Sequence, residues 1–411
     1  GKGGRAESAS ERASERLAVA RGWERSRSSL LPLRARAAMP LKKPNLRPLS
    51  MSIERQNSSL MSDTGSLALD NFVIGRNGIT QSPIQVGEVS NLRLNDLEMS
   101  RQLGRGMSSK VYLALHKPTG KLVAVKVIQS NVEQDVSMRK MVLNEVRTVF
   151  QARSDHLVQF YDAFHHEGSL HLVLEYCDMG SLEGLYQALR RPGAEHMMSE
   201  HVLAAILFQI VQGLTYLHKE KRAVHRDLKP ANVLLNSAGF VKLSDFGISR
   251  QLDATCAMAQ TYCGTAAYMA PERLMDGAIY GFPSDIWSVG LIALEGILGH
   301  FPYPEFTSHF DLVNTVVNGP PPTENPVVKQ GLSLDLWQLL DGLVAKEPAD
   351  RPDCYQVARS AFMLRMMSQP CDLAAWFRMV AAGGGALPGG SGIMLGGAPP
   401  GGGALPDSAE I

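Results

Sequence analysis

Val224–Phe246 reads VHRDLKPANVLLNSAGFVKLSDF, and Gly247 follows. Three groups stand in it at fixed spacing: His225-Arg226-Asp227, then Lys229 and Asn232, then Asp245-Phe246-Gly247. An HRD tripeptide alone is weak, because any polar loop can carry one. HRDLKPxN followed by DFG within one short stretch is a specific signal.

Upstream of this stretch, the chain becomes periodic from about Leu94. LEMSRQLGRGMSSKVYLALHKPTGKLVAVKVI reads as three strands separated by turns at Gly104-Arg105-Gly106 and Lys117-Pro118-Thr119-Gly120. Apolar residues alternate at Val111, Leu113 and Leu115, and again from Leu122 to Ile128. Met141, Val142, Glu145, Val146 and Val149 fall at helical spacing and predict a helix over about 136–152. Two more strands are predicted near Val158–Phe164 and Leu170–Tyr176.

On the other side of Cys177-Asp178-Met179-Gly180 the pattern is helical. His201–His218 predicts one long helix, and DIWSVGLIALEGIL from Asp285 predicts another that is apolar on nearly every face and therefore central. Ser284 or Asp285 is the expected cap of that helix. Folded structure is expected to end near Val380. Residues 381–411 are Gly, Ala and Pro-rich and read as a flexible tail, and 1–93 read as disordered.

Composition narrows the function. The 411 residues carry 41 basic against 40 acidic side chains, a net charge of +1 that predicts no attraction to nucleic acid or membrane. No run of about 18 apolar residues occurs, so no membrane span is expected. Five scattered cysteines without a C-x-x-C pair predict reduced thiols in an intracellular protein, cytoplasmic with nuclear entry left open. The Arg-rich segment 1–38 carries four glutamates, against a transit peptide. Met39 is read as the natural start, with 1–38 as translated upstream sequence.

These motifs resemble those of eukaryotic protein kinases. The resemblance implies an α+β, bilobal fold over 94–380, with a five-stranded antiparallel small lobe bearing one helix (about 94–176) and a mainly helical large lobe (about 180–380). It implies that Asp227 is the base for a substrate hydroxyl, that Lys229 steadies the transferring phosphoryl group, and that Asn232 and Asp245 bind Mg²⁺. ATP is expected under the loop Leu103-Gly104-Arg105-Gly106-Met107-Ser108-Ser109-Lys110-Val111, where Ser109 replaces a third glycine. Lys126 of Val123-Ala124-Val125-Lys126 would hold the phosphates, oriented by Glu145, which lies 145 − 126 = 19 residues later. Adenine would lie against Ala124 and the backbone of Glu175-Tyr176-Cys177, with Leu174 controlling the pocket behind it. Glu272 of Ala270-Pro271-Glu272 would pair with Arg351, and Asp285 would cap the HRD backbone.

Lys229 favours Ser and Thr substrates within that resemblance. A narrower resemblance is to the MAP kinase kinases. It rests on GTAAYMAPER from Gly264, on Thr255 and Thr261 at the Thr-x₅-Thr spacing of plant-type members, and on Asp372-Leu373-Ala374-Ala375-Trp376-Phe377. It implies phosphorylation of Thr and Tyr on a MAP kinase, and activation by an upstream MAP kinase kinase kinase acting on Thr255 and Thr261. MPLKKPNLRPLSM, from Met39 to Met51, resembles the family's docking motif, with Lys42 and Lys43 ahead of Leu46 and Leu49. A catalytically silent scaffold would lack the base, the lysine or the metal residues, and all are present. Another Ser/Thr kinase of the same broad group is the nearer alternative.

Overall fold

The computed structural model describes residues 67–69, 72–75, 78–80, 92–106, 109–129, 146, 150, 152–190, 198–245, 266–275, 281–329, 331–369 and 371–382. The docking segment at 39–51 and the tail from 383 lie outside them, as do Met107, Ser108, Glu145, Thr255 and Thr261.

The strands come in chain order as β1 (Leu67–Leu69), β2 (Phe72–Gly75), β3 (Gly78–Thr80), β4 (Leu97–Arg105), β5 (Ser109–His116), β6 (Lys121–Gln129), β7 (Phe160–His166), β8 (Ser169–Glu175), β9 (Val233–Leu235) and β10 (Val241–Leu243). β4 to β8 form a five-stranded antiparallel sheet in the order β4-β5-β6-β8-β7. Strand alternation sorts its side chains. Val123 and Val125 join Ala114, Phe164 and Val173 in a core on one face. Ala124 and Lys126 point the other way, where Lys126 meets Asp245 of the large lobe. Val146 and Phe150 of the expected helix are helical and buried, and the Phe150 ring meets Phe160 edge-on at 5.6 Å.

The large lobe is built on helices, of which seven are labelled here: α1 (Leu182–Leu189), α2 (Glu200–Thr215), α3 (Phe282–Leu298), α4 (Leu334–Leu343), α5 (Cys354–Ala358), α6 (Ala361–Met367) and α7 (Leu373–Ala382). Every residue of α3 from Ser284 to Ile297 is buried, as its all-round apolar sequence requires. α2 continues as a π-helical turn over Tyr216–Glu220. Glu200–Glu220 is long and apolar enough to cross a membrane by composition, yet 67% of its most apolar window is buried inside the protein, as in a core helix.

Two expectations change. Gly281, not Ser284 or Asp285, is the N-cap of α3, because Pro283 in its first turn needs no N–H partner and starts the helix earlier. Ser284 and Asp285 lie within the helix, where they serve other partners. Structure also begins before 94. β1, β2 and β3 form an antiparallel sheet with Ile74 fully buried, so these three strands depart from the disorder read over 1–93. That reading weighed local composition, whereas Ile74 is buried by residues far along the chain.

Candidate active site

The sheet register assembles the upper wall of a cleft. Val111 pairs with Lys126, and Ala124 pairs with both Leu113 and Leu174. This puts the end of the glycine loop, the lysine and the pocket residue on adjoining strands. Leu103, Gly104 and Arg105 end β4, and Arg105 pairs with Lys110. The Gly106 N–H donates to the Ser109 carbonyl at 2.7 Å, closing the turn. A Cβ on Gly106 would come within 2.9 Å of Ser109 Oγ, so the serine that replaces the third glycine fills space beside the second.

The lower wall is built from the described part of the HRD-to-DFG stretch, residues 224–245. Lys229 precedes a 3₁₀ turn over Pro230–Asn232, which leads straight into β9. The Asn232 amide donates through Nδ2 to the Asp227 carbonyl at 2.7 Å and to Asp227 Oδ2 at 2.9 Å. Lys229 Nζ lies 3.2 Å from the same Oδ2. Asp227 is thus fixed at Oδ2 by an amide and a cation. The Asn232 carbonyl accepts from the Ser244 N–H at 2.9 Å, tying the loop to the residue before Asp245. Asp245 has a left-handed backbone, φ +57°, and its Oδ1 lies 2.6 Å from Lys126 Nζ.

Asn232 and Asp245 suit a divalent ion of the magnesium type. With Nδ2 spent on Asp227, Asn232 keeps Oδ1 as an acceptor, and Asp245 adds carboxylate oxygens, the hard donors that Mg²⁺ takes few of from protein. No cluster of three or more His, Cys, Asp or Glu side chains able to hold a metal occurs among the described residues.

Asp285 is the support beneath. Its carboxylate accepts from the backbone N–H of His225 at 2.8 Å and of Arg226 at 3.0 Å, and from His218 Nε2 at 2.8 Å. Arg226 is left-handed at φ +72°, and Arg273 donates to its carbonyl at 2.6 Å. Burial holds the His225 imidazole below its ordinary pKa. Glu272 forms a two-pronged pair with Arg351, both bonds 2.8 Å, and Ser284 Oγ donates to Glu272 at 2.8 Å.

Glu175 is held by more than its place in the hinge. Its N–H donates to the Gln159 carbonyl at 2.7 Å, and its carboxylate takes the Gln159 N–H and the buried Lys242 Nζ at 3.0 Å. Cys177 is buried, which pushes its thiol pKa up to about 12 and leaves it unreactive.

Sequence reading missed Lys242 of β10 and the carboxylate of Glu295 in α3. Glu295 accepts from Tyr268 and, at 3.2 Å, from Arg190. No local spacing marks either residue, since their partners lie on other elements. Glu145, Met107, Ser108, Thr255 and Thr261 lie outside the described residues, so their predicted roles carry no geometry.

Residues 97–363 match the protein kinase domain. The chain is 35% identical over 334 residues to a mitogen-activated protein kinase kinase, SIPKK, of Nicotiana tabacum, covering 78% of this chain and 90% of that one. It is 34% identical over 339 residues to mitogen-activated protein kinase kinase 1 of Arabidopsis thaliana, covering 79% and 92%. Protein kinase wis1 of Schizosaccharomyces pombe is 36% identical over 297 residues, 70% of this chain and 47% of that one. Kinases of this domain family use ATP with a divalent metal ion. The cleft built on Asp227, Lys126 and Asp245, together with similarity along most of both chains, establishes that the chain belongs to the MAP kinase kinases, dual-specificity protein kinases of MAP kinase cascades.

Proposed function

We propose that this kinase moves the γ-phosphoryl group of ATP, with Mg²⁺ as the metal, onto a Thr and a Tyr of a MAP kinase, and that an upstream kinase turns it on at Thr255 and Thr261. The observation that carries the site assignment is the fixed Asp227 carboxylate, held by Asn232 and Lys229 beside the Lys126–Asp245 pair.

Asp227 orients the incoming hydroxyl and takes its proton as the new bond forms. Lys229, 3.2 Å from Asp227, would share the charge that develops on the moving group. Lys126 holds phosphate oxygens, and Glu145 orients it. Asn232 and Asp245 would hold the metal, which would neutralise phosphate charge when bound. Leu174, Ala124 and the hinge around Glu175 and Cys177 form the adenine side. Phosphate on Thr255 or Thr261 adds about −1.5 to −2 charge, for which Arg226 is the cationic partner. The basic and apolar residues of 39–51 grip the substrate kinase.

The test is a radiolabelled ATP assay on the Thr255→Glu/Thr261→Glu chain against a panel of kinase-dead MAP kinases. Dual Thr and Tyr labelling of one panel member, lost with Lys126→Met or Asp245→Ala in folded protein, is expected. Retained turnover in either folded variant would remove the site assignment. Labelling of generic proteins but no MAP kinase would remove the substrate.

A further inference from the structure

The protein kinase match begins at Leu97, so β1, β2 and β3 lie outside it. β2 and β3 are nevertheless bound to the catalytic unit along β7. Asp162 Oδ1 accepts the Ile79 N–H at 3.0 Å, across 83 residues of sequence, and also the neighbouring Ala163 N–H at 2.8 Å. β2 and β3 both pack on β7. Gly78, left-handed at φ +96°, lies so close that a Cβ there would come within 2.7 Å of Asp162 Oδ2. Ile74 is fully buried, in the same continuous core as Val146, Phe150, Phe160 and Ala163.

We infer that strands β1, β2 and β3 are a clasp, latched by Asp162, that positions the β7 and Phe150 side of the small lobe for phosphoryl transfer. Asp162 is half-buried in β7, and departure of the meander would cost its carboxylate the Ile79 N–H, so the latch holds the meander where it is. Burial pushes the Asp162 carboxyl up to about 6, the mark of a group poorly supplied with compensating charge. Ile74 then completes a core that includes Val146, the immediate neighbour in sequence of Glu145. Loosening that core shifts the helix side of the lobe, which bears on the residue expected to orient Lys126. Asp162 and Ile74 touch no substrate, so they are positioning residues. The inference rests on the phosphoryl-transfer reading for its rate effect and on geometry alone for the latch.

The test uses the full chain with Asp162→Ala, Asp162→Asn and Ile74→Ala, and reads two quantities separately. Hydrogen exchange at the Ile79 amide reports the latch. Steady-state rates, measured well below each variant's melting temperature, report the reaction. In the parent chain Ile79 should exchange slowly. Asp162→Ala should speed that exchange about tenfold or more. The same variant should lower kcat about threefold or more, with KM for ATP within about twofold. Asp162→Asn keeps an oxygen acceptor and should recover most of both effects, which a merely structural role would not require. Ile74→Ala should lower kcat in the same direction. Fast exchange at Ile79 in the parent chain would overturn the latch. Fast exchange in Asp162→Ala with kcat unchanged or raised would overturn the positioning role. Absence of turnover in the parent chain would count against the phosphoryl-transfer reading and leave the exchange result standing.

Discussion

A single carboxylate decides how the large lobe holds its shape near the site. Burial by itself would raise the Glu272 pKa, but the hydrogen bonds and charge of Arg351, with Ser284, outweigh it and hold the group below its ordinary value. Arg351 also donates to the carbonyls of Ala345, Pro283 and Lys346, and its guanidinium lies over the Trp287 ring at 5.2 Å. Removing one partner of such a pair strands the other, so Glu272→Ala should cost about 3–5 kcal/mol in urea unfolding. Replacing both, as Glu272→Met/Arg351→Met, should recover much of that loss. The sign with pH follows from the depressed pKa. The pair's stability is present above the ordinary glutamate value and is lost as pH falls through the lower folded value. Urea midpoints of the parent should therefore fall more steeply on acidification than those of Glu272→Gln. An equal fall in both would remove the pair from the acid response.

At the scale of an element, α3 is the axle of the large lobe. Its sequence declared the burial, and its packing explains a residue that propensity disfavours. Gly290 in a helix interior costs roughly 1 kcal/mol against alanine. It is needed because a Cβ there would come within 2.6 Å of Val344 Cγ1 and 2.9 Å of Leu343 Cβ at the end of α4. Gly290→Val should destabilise by about 1–3 kcal/mol or more through overpacking, seen as a lower melting temperature with ATP affinity retained in the folded fraction. Unchanged melting would mean that α4 gives way freely. The cap of α3 was misplaced in sequence because Ser and Asp are good caps wherever they stand. In the fold Asp285 turns to the HRD backbone, as the kinase resemblance implied, and Ser284 to Glu272, which only the packing shows.

Across the whole molecule, the active site, the proposed switch at Thr255 and Thr261 and the proposed docking segment 39–51 are separate stretches of the chain. Deleting 39–51 should raise KM for the MAP kinase about tenfold while leaving peptide phosphorylation within about twofold, checked by steady-state assay with both substrates. Equal loss on both substrates would show that the segment serves the catalytic unit instead. The sequence by itself determined the five-strand order of turns and alternation, the buried helices, and Asp227, Lys229, Asn232 and Asp245, because each is written in spacing over a few residues. Glu272 with Arg351 was legible only through resemblance. The tertiary structure alone decided that Lys242 braces Glu175, that His218 shares the Asp285 carboxylate under the catalytic loop, and that Ile79 of β3 is latched to Asp162. Periodicity constrains which face a residue shows, not which distant residue it meets. Partners 60 to 83 positions apart, such as Asp285 with His225 or Ile79 with Asp162, are selected by the closing of the core, which satisfies buried polar groups only once the whole chain has packed.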